Sequence, residues 1–330
     1  MEFRDISKNF SIVKFLSILM VLTGHFFPGT DLWVPTTVGL FVFGFSSSYF
    51  TAAKYSGNFS VRKFWLKKID RLAYNWVVIN LFLFILLMAK GEKNLFSWYT
   101  VVSLLGLTGF LNWFKIPNKT PLGLGLWFFT LLLIFYALYP LLSFINRSKV
   151  RAFIFMSLSI IILTVLHFTV PMGHMLWMSS IAFILGQFLY LYRFSLSPKV
   201  AVGIGVFSII IMVALNYGLK IKYFNYFLIL IFSLTVVMFL LGYKIPRVLN
   251  ILLIFSGCIL EIYLISPYLT MKFNSLPTYV NYFFSLFLTL FTALVLNYLA
   301  NKLRMLLAYI MYRYKKRYEY EVKGVHLLDS

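Results

Sequence analysis

Long apolar runs dominate the chain and constrain its fold more than any other feature. Each run has about the twenty residues that a helix needs to cross a bilayer, and short charged segments separate the runs. With 61% hydrophobic and 12% charged residues, the chain lacks the polar surface of a water-soluble domain. In lipid a helix makes its backbone hydrogen bonds internally, so the runs predict an all-α polytopic membrane protein of about ten transmembrane helices. The predicted spans are 11–27, 36–53, 72–89, 124–144, 152–170, 175–192, 200–218, 224–242, 249–270 and 279–300.

The positions of the Lys and Arg residues predict the orientation. A net charge of +21 would suggest nucleic acid as the partner of a soluble chain, but these cations lie in short loops and indicate topology and contact with anionic lipids instead. Ten spans with a cytoplasmic N-terminus place most cations inside, and the C-terminus is then cytoplasmic too. Counting 95–114 as an eleventh span would move the C-terminal cations outside. We therefore expect a re-entrant or interfacial segment near 95–114, a transmembrane domain over 1–304 and a short basic cytoplasmic tail over 305–330.

The first span carries two ionisable residues, Lys14 and His25. At about 1.5 Å rise per residue His25 lies roughly 16 Å beyond Lys14, and with Ser11 the two fall on one narrow stripe of the helix. An ionisable side chain at that depth is costly unless it faces protein or water, which makes His25 a candidate functional residue. An imidazole suits a general base or an acyl acceptor. The alternative is a histidine that only hydrogen-bonds between helices.

A basic segment, FWLKKIDRL (64–72), precedes the third span. Lys67 and Arg71, or Lys68 and Arg71, can share one helical face there. Such a pair is suited to the phosphates of a ligand, and it can equally serve only to set the topology.

Glu261 is the acid that lies deep in a predicted span, at a depth similar to that of His25. A buried carboxylate could orient an imidazole or hold a proton, or it could form a structural pair with a neighbouring Tyr, Asn or Lys. His167 and His174 flank the hairpin at Pro171, and we interpret both as ordinary loop residues.

Five stretches in series resemble the acyltransferase-3 family of integral-membrane acyltransferases, which O-acylate bacterial surface polysaccharides. They are Lys14 with His25; VFGFSSS (Val42–Ser48), where Ser46 and Ser47 stand for a Ser-Gly pair; Phe64, Lys68, Arg71 and Leu72; LWFFTLLLIFYALYPLL (Leu126–Leu142); and EIYLISP (Glu261–Pro267). Three positions depart from the family pattern: Ser11 replaces the usual acid, Leu132 stands where many relatives have Glu, and Ser266 replaces a common second His.

The resemblance implies transfer of an acyl group, acetyl above all, from cytoplasmic acyl-CoA to a hydroxyl of a surface polysaccharide or its lipid-linked precursor. The location would be the bacterial cytoplasmic membrane, with no metal. On this interpretation His25 and Glu261 are catalytic, and Lys14, Lys68 and Arg71 bind acetyl-CoA. The substrate-binding candidates from the matching motifs are Ser46, Trp127 and Tyr136.

Because Ser11 removes the usual local carboxylate, we expect Glu261 to approach His25 within hydrogen-bond or one-water reach. Two alternatives remain open: a polysaccharide flippase or polymerase, and a catalytically inactive relative of the family.

Overall fold

A computed structural model of the chain describes residues 3–27, 32–55, 59–170 and 174–326, with side chains described except for 174 and 314–326. Within those ranges the chain is helical and contains no strand. This confirms the predicted all-α class. The helices are α1 (Phe3–Phe26), α2 (Trp33–Tyr55), α3 (Val61–Ala89), α4 (Trp98–Leu104), α5 (Thr108–Trp113), α6 (Trp127–Ile145), α7 (Lys149–Thr169), α8 (His174–Tyr192), α9 (Pro198–Val213), α10 (Asn225–Gly242), α11 (Ile259–Ile265) and α12 (Thr278–His326), with a π segment at Ala214–Gly218 and 3-10 helices at Arg247–Phe255 and Ser266–Tyr268.

In the part of the chain that the structure describes, eight helices are long and apolar enough to cross a membrane. A ninth span is formed if Arg247–Phe255 and Ile259–Tyr268, which meet at an angle of 58°, are taken together. The remaining predicted span, 36–53, falls on α2, whose 23 residues extend for about 35 Å. Several polar residues of α2, among them Thr37, Ser46 and Ser48, are buried inside the protein. Since α2 is surrounded largely by other helices, it does not need the apolar surface that lipid requires.

Glycines bring α2 close to its two main neighbours. A Cβ atom on Gly186 of α8 would lie 2.3 Å from the carbonyl oxygen of Phe45, and one on Gly44 would lie 3.0 Å from that of Ser179. On the α1 side, a Cβ on Gly39 would lie 2.8 Å from the Cβ of Ser17. Small residues that let backbones approach are a common way of packing helices in membranes. They place α2 between α1 and α8.

The stretch 95–114 does not form a spanning helix. It contains α4 and α5, which have seven and six residues, far fewer than a crossing needs. The chain also enters and leaves this region at one end of the bundle: Lys90 donates to the carbonyl of Tyr268 at 3.1 Å, and the hydroxyl of Tyr268 accepts from the backbone N–H of Leu124 at 3.0 Å. The expectation that 95–114 is not an eleventh span is confirmed.

Two helices extend beyond the predicted spans. The α3 helix begins at Val61 instead of residue 72, because the Ser60 hydroxyl caps it by accepting from the N–H of Lys63 at 3.4 Å. The basic segment 64–72 is therefore helical. The α12 helix continues to His326, so no break in structure coincides with the predicted boundary between 304 and 305.

Phe3 and Arg304 lie at the same end of the bundle. The Phe3 ring packs against Phe50 near the end of α2, with centroids 5.6 Å apart, and Arg304 of α12 pairs with Asp70 in the first third of α3. This arrangement agrees with an even number of crossings between the two residues. That this end faces the cytoplasm stays a prediction from the charges.

We predict that Gly186→Ala destabilises the fold, because the added methyl group meets the backbone of α2 and overpacking costs about 1–3 kcal/mol. The matched control is Gly203→Ala in α9, where an added Cβ meets nothing within 4 Å. There the exchange should be neutral or stabilising, by up to about 1 kcal/mol. Thermal unfolding of both variants in detergent checks the difference, and equal melting temperatures would contradict the proposed contact.

Candidate functional site

One face of α1 lines three neighbouring cavities in succession. Ser7, Ser11 and Lys14 contribute to the first cavity, Lys14 and Ile18 to the second, and Val21, Gly24 and His25 to the third. These residues recur at intervals of three or four, as expected for one face of a helix. From Ser7 to His25 the face extends for about 27 Å, close to the thickness of a hydrocarbon core. Ser11, Lys14 and His25 therefore lie on one face of α1, as predicted, and this face lines cavities inside the protein.

The first cavity, which we call the basic cavity, has a volume of about 510 Å³. The described residues of its wall include five cations and no carboxylate, together with many hydroxyl groups. The cations are Lys14, Lys54, Lys67, Lys68 and Arg71. Of the described acids, Asp5 pairs with Lys244, and Asp70 lines the adjoining space, where it pairs with Arg304. A concentration of positive charge with hydroxyl donors is suited to phosphate groups.

Lys68 is fixed in the wall of the basic cavity. Its side chain is buried, its Nζ donates to the Thr51 hydroxyl at 3.1 Å, and the same atom lies 3.9 Å from the centre of the Tyr136 ring. The ring face offers electrostatic stabilisation to an ammonium group that water reaches poorly. The sequence predicted roles for Lys68 and Tyr136 separately, and the structure brings them into contact.

The second, middle cavity has a volume of about 350 Å³ and shares part of its wall with the basic cavity. Lys14, Lys68, Arg71 and Tyr136 line both. Leu132, which stands where the resemblance expects Glu, also lines the middle cavity. The wall at that point is consequently apolar.

The third cavity, the His25 cavity, has a volume of about 220 Å³. Leu40 and Tyr263 line both this cavity and the middle one, so the two spaces are neighbours. The His25 side chain is exposed to this space, and Trp127, the first residue of α6, forms part of the same wall. Tyr263 donates a hydrogen bond to the carbonyl of Gly125, which fixes the turn that leads into Trp127.

Glu261 does not form the predicted hydrogen bond with His25. Its Oε1 accepts hydrogen bonds from the amides of Asn75 on α3 and Asn297 on α12, the latter at 3.1 Å, and its Oε2 is buried with no partner in the described structure. The sequence argument placed the two residues at similar depths, but depth does not determine the direction in which a helix presents a side chain. The predicted direct hydrogen bond between Glu261 and His25 is wrong, an approach through one water stays a prediction, and among the structural alternatives the one with Asn is observed.

Among the described residues that line the His25 cavity there is no carboxylate. Ser11, which stands where the acyltransferase-3 pattern has an acid, donates to the carbonyl of Ser7 at 2.9 Å, and Ser266 donates to the carbonyl of Tyr263 at 3.2 Å. Both hydroxyls are bound to backbone. Ser46 lies at the basic cavity, fully buried, with its hydroxyl donating to Phe43 at 3.1 Å.

Sequence reasoning missed three polar residues that shape these spaces: Asn75, Asn297 and Thr51. Each lies inside a predicted span, and polar side chains in a span usually bind a neighbouring helix. That signal was available. The identity of their partners was not, because each partner lies on a different helix.

The fold and the cavities define a multi-pass α-helical membrane protein with a line of polar and apolar spaces inside the bundle. Comparison of the chain with protein-family models, with curated proteins and with solved structures found no match. The resemblance to the acyltransferase-3 family therefore stays a prediction from its motifs.

We predict that the hydrogen bonds of Glu261 to Asn75 and Asn297 hold α3, α11 and α12 together. In Glu261→Gln the side-chain oxygen can still accept from Asn75 and Asn297, so stability should change little. Glu261→Leu would leave the Asn75 amide without an acceptor, and a buried unsatisfied polar group costs about 1–3 kcal/mol. Melting temperatures in detergent test this. A leucine variant as stable as the glutamine variant would contradict a stabilising role for these hydrogen bonds.

Proposed function

We propose that this protein is a membrane-bound O-acyltransferase of the bacterial cytoplasmic membrane. It transfers an acyl group, in the first place acetyl, from acyl-CoA to a hydroxyl of a surface polysaccharide or its lipid-linked precursor. The observation that carries the proposal is the line of three adjoining cavities along α1, from the five cations at one end to His25 at the other.

The basic cavity supplies the chemistry for the donor's phosphates. Arg71 and Lys14 border both this space and the middle cavity, and Lys68 presents an ammonium group held by Thr51 and Tyr136. Charge-assisted hydrogen bonds from such groups to phosphate are short and strong. The many basic residues at this end favour the cytoplasm, where acyl-CoA is available, as the side on which the donor binds.

The middle cavity supplies a passage for the long, narrow pantetheine arm. It leads from Lys14 toward Leu40 and Tyr263, and about 16 Å of helix separates Lys14 from His25. A thioester delivered past Leu40 and Tyr263 would arrive in the cavity that His25 lines. The proposal assigns Tyr136 and Ser46 to the wall around the donor, and Trp127 to the wall around the reacting group.

The imidazole of His25 takes part in the reaction in one of two ways. As a general base it takes the proton of the acceptor hydroxyl, and the hydroxyl oxygen attacks the thioester carbonyl. The C–S bond then breaks, and the leaving thiolate takes the proton from the imidazolium. As an acyl acceptor its ring nitrogen attacks the thioester carbonyl, the C–S bond breaks and the thiolate leaves. The acceptor hydroxyl then attacks the acyl carbon, the C–N bond breaks, and the hydroxyl proton ends on the thiolate. Among the described residues none hydrogen-bonds to the His25 ring, so both routes rest on the imidazole alone. Glu261 has no assigned step because its bound oxygen faces Asn75 and Asn297.

A second candidate function is an inactive relative that binds partners without transferring an acyl group. The absence of a carboxylate among the described residues lining the His25 cavity favours this alternative. A flippase or polymerase would require no acyl-CoA. The decisive experiment is therefore transfer of labelled acetyl from acetyl-CoA by membranes that contain the protein, with the host's surface glycan as the acceptor and its acyl content measured by mass spectrometry.

We predict that His25→Ala lowers acyl transfer by roughly 10²–10⁴-fold, the usual effect of removing a general base. Its abundance in the membrane should stay near that of the unchanged protein, because His25 is exposed to the cavity and supports no described hydrogen bond. Transfer and protein level are measured in the same membranes. Full activity in this variant would assign the chemistry to another residue.

We predict that Arg71→Ala raises the KM for acetyl-CoA with a smaller effect on kcat, because an interaction made equally with bound donor and transition state affects binding alone. The control is Arg62→Ala on the same helix, an exposed residue that lines none of the three cavities. The KM of the control should not change. An equal shift in both variants would indicate a general effect of charge near the membrane surface.

A further inference from the structure

A fourth cavity, the aromatic cavity, lies where the start of α2 meets α7 and α10, at the same end of the bundle as His25. Its volume is about 240 Å³, and aromatic rings make up much of its wall. Typical ligand pockets measure about 300–1,000 Å³, so this space suits one ring-sized group and not a large molecule. The lining residues are Trp33, His167, Lys222, Tyr223, Asn225, Tyr226 and Ile229.

The rings of the aromatic cavity are held in place by stacking. The His167 ring lies on Tyr226 with centroids 3.9 Å apart and planes 11° apart, and Tyr223 stacks on Phe168 at 5.3 Å. Ile229 is fully buried beneath them. His167, interpreted from the sequence as a loop residue, is in fact part of α7. A wall fixed in this way loses little conformational freedom when a ligand binds.

Three buried polar atoms of this wall have no hydrogen-bond partner in the part of the chain that the structure describes. They are Nδ1 of His167, Oδ1 of Asn225 and the hydroxyl oxygen of Tyr226. Buried polar groups are nearly always paired, so an unpaired atom on a cavity wall is available to hydrogen-bond a water or a ligand. Lys222 adds a cation at the same cavity, and none of the described residues that line it is an acid.

We propose that the aromatic cavity is a binding subsite for a single acidic sugar ring. Rigid aromatic faces offer apolar contact to the C–H faces of such a ring, while the imidazole and the amide offer hydrogen bonds to its hydroxyls. The Lys222 ammonium adds a charge-assisted bond to a carboxylate on the ring. A purely apolar ligand would leave these polar groups unpaired.

The position of Trp33 connects this subsite to the reaction. Trp33 lines both the aromatic cavity and the His25 cavity, so the two spaces are neighbours across one side chain. The inference rests on the proposed function in this respect: one sugar of the acceptor occupies the aromatic cavity while its neighbour presents a hydroxyl to His25. The subsite thereby selects acceptors that carry an acidic sugar next to the acylated one.

The test measures binding without any acyl transfer. The full-length His25→Ala variant in detergent is titrated with glucuronic acid and with glucose, in the absence of acyl-CoA, and binding is followed by ligand-observed NMR. We expect glucuronic acid to bind more tightly than glucose. Lys222→Ala should weaken glucuronic acid binding by up to about fivefold and abolish the preference, as expected for an exposed ion pair. Lys220→Ala, two residues earlier and outside the cavity wall, should leave both unchanged.

A second pair of variants tests the aromatic wall. Tyr223→Leu should weaken binding of both sugars by about tenfold, whereas Tyr217→Leu should leave it unchanged. Tyr223 and Tyr217 are 67% and 69% exposed, so neither exchange disturbs the core, and only Tyr223 lines the cavity. Absence of sugar binding, equal binding of the two sugars, or equal effects within either pair would overturn the subsite. Because no donor is present, failure of the acyltransferase proposal would be seen only in the transfer assay.

Discussion

The close contact of α2 with α1 and α8 is the constraint on which the rest of the structure depends. Glycines at positions 39, 44 and 186 leave no room for a Cβ atom, so the three helices approach backbone to backbone. Without a strong hydrophobic force between helices in lipid, such packing is a main source of association. It fixes α2 beside the cavity-lining face of α1, and α2 contributes Trp33, Leu40 and Ser47 to the same spaces.

The electrostatics of the bundle follow from the way those spaces are lined. Charged side chains inside a membrane protein face the protein interior or water-filled cavities, because lipid does not solvate them. Lys14, Lys68 and Arg71 border cavities, and the described acids Asp5 and Asp70 form their ion pairs with other cations. The basic cavity is therefore positively charged on its own, which is the physical basis for proposing an anionic donor there.

The pairing predicted between Glu261 and His25 shows that a similar depth in the membrane does not establish a contact. Both residues lie inside predicted spans, and a shared depth suggested a contact. The span that holds Glu261 is broken near Gly257, however, and the short α11 turns the carboxylate toward α3 and α12. Helical periodicity applies only along one unbroken helix, so it predicted the stripe of Lys14 and His25 correctly and could not predict a pairing between two helices.

The sequence by itself determined the all-α polytopic class, the exclusion of 95–114 as a span, and the stripe on α1 that holds Ser11, Lys14 and His25. These features follow from local rules: the length of apolar runs, the distribution of cations, and the 3.6-residue repeat. Only the tertiary structure decided that the stripe faces three adjoining cavities, that Lys68 meets Thr51 and Tyr136, and that His167 stacks on Tyr226 at a fourth cavity. Those contacts join segments far apart in the chain, and their geometry depends on how closely helices pack, which no single run of residues contains.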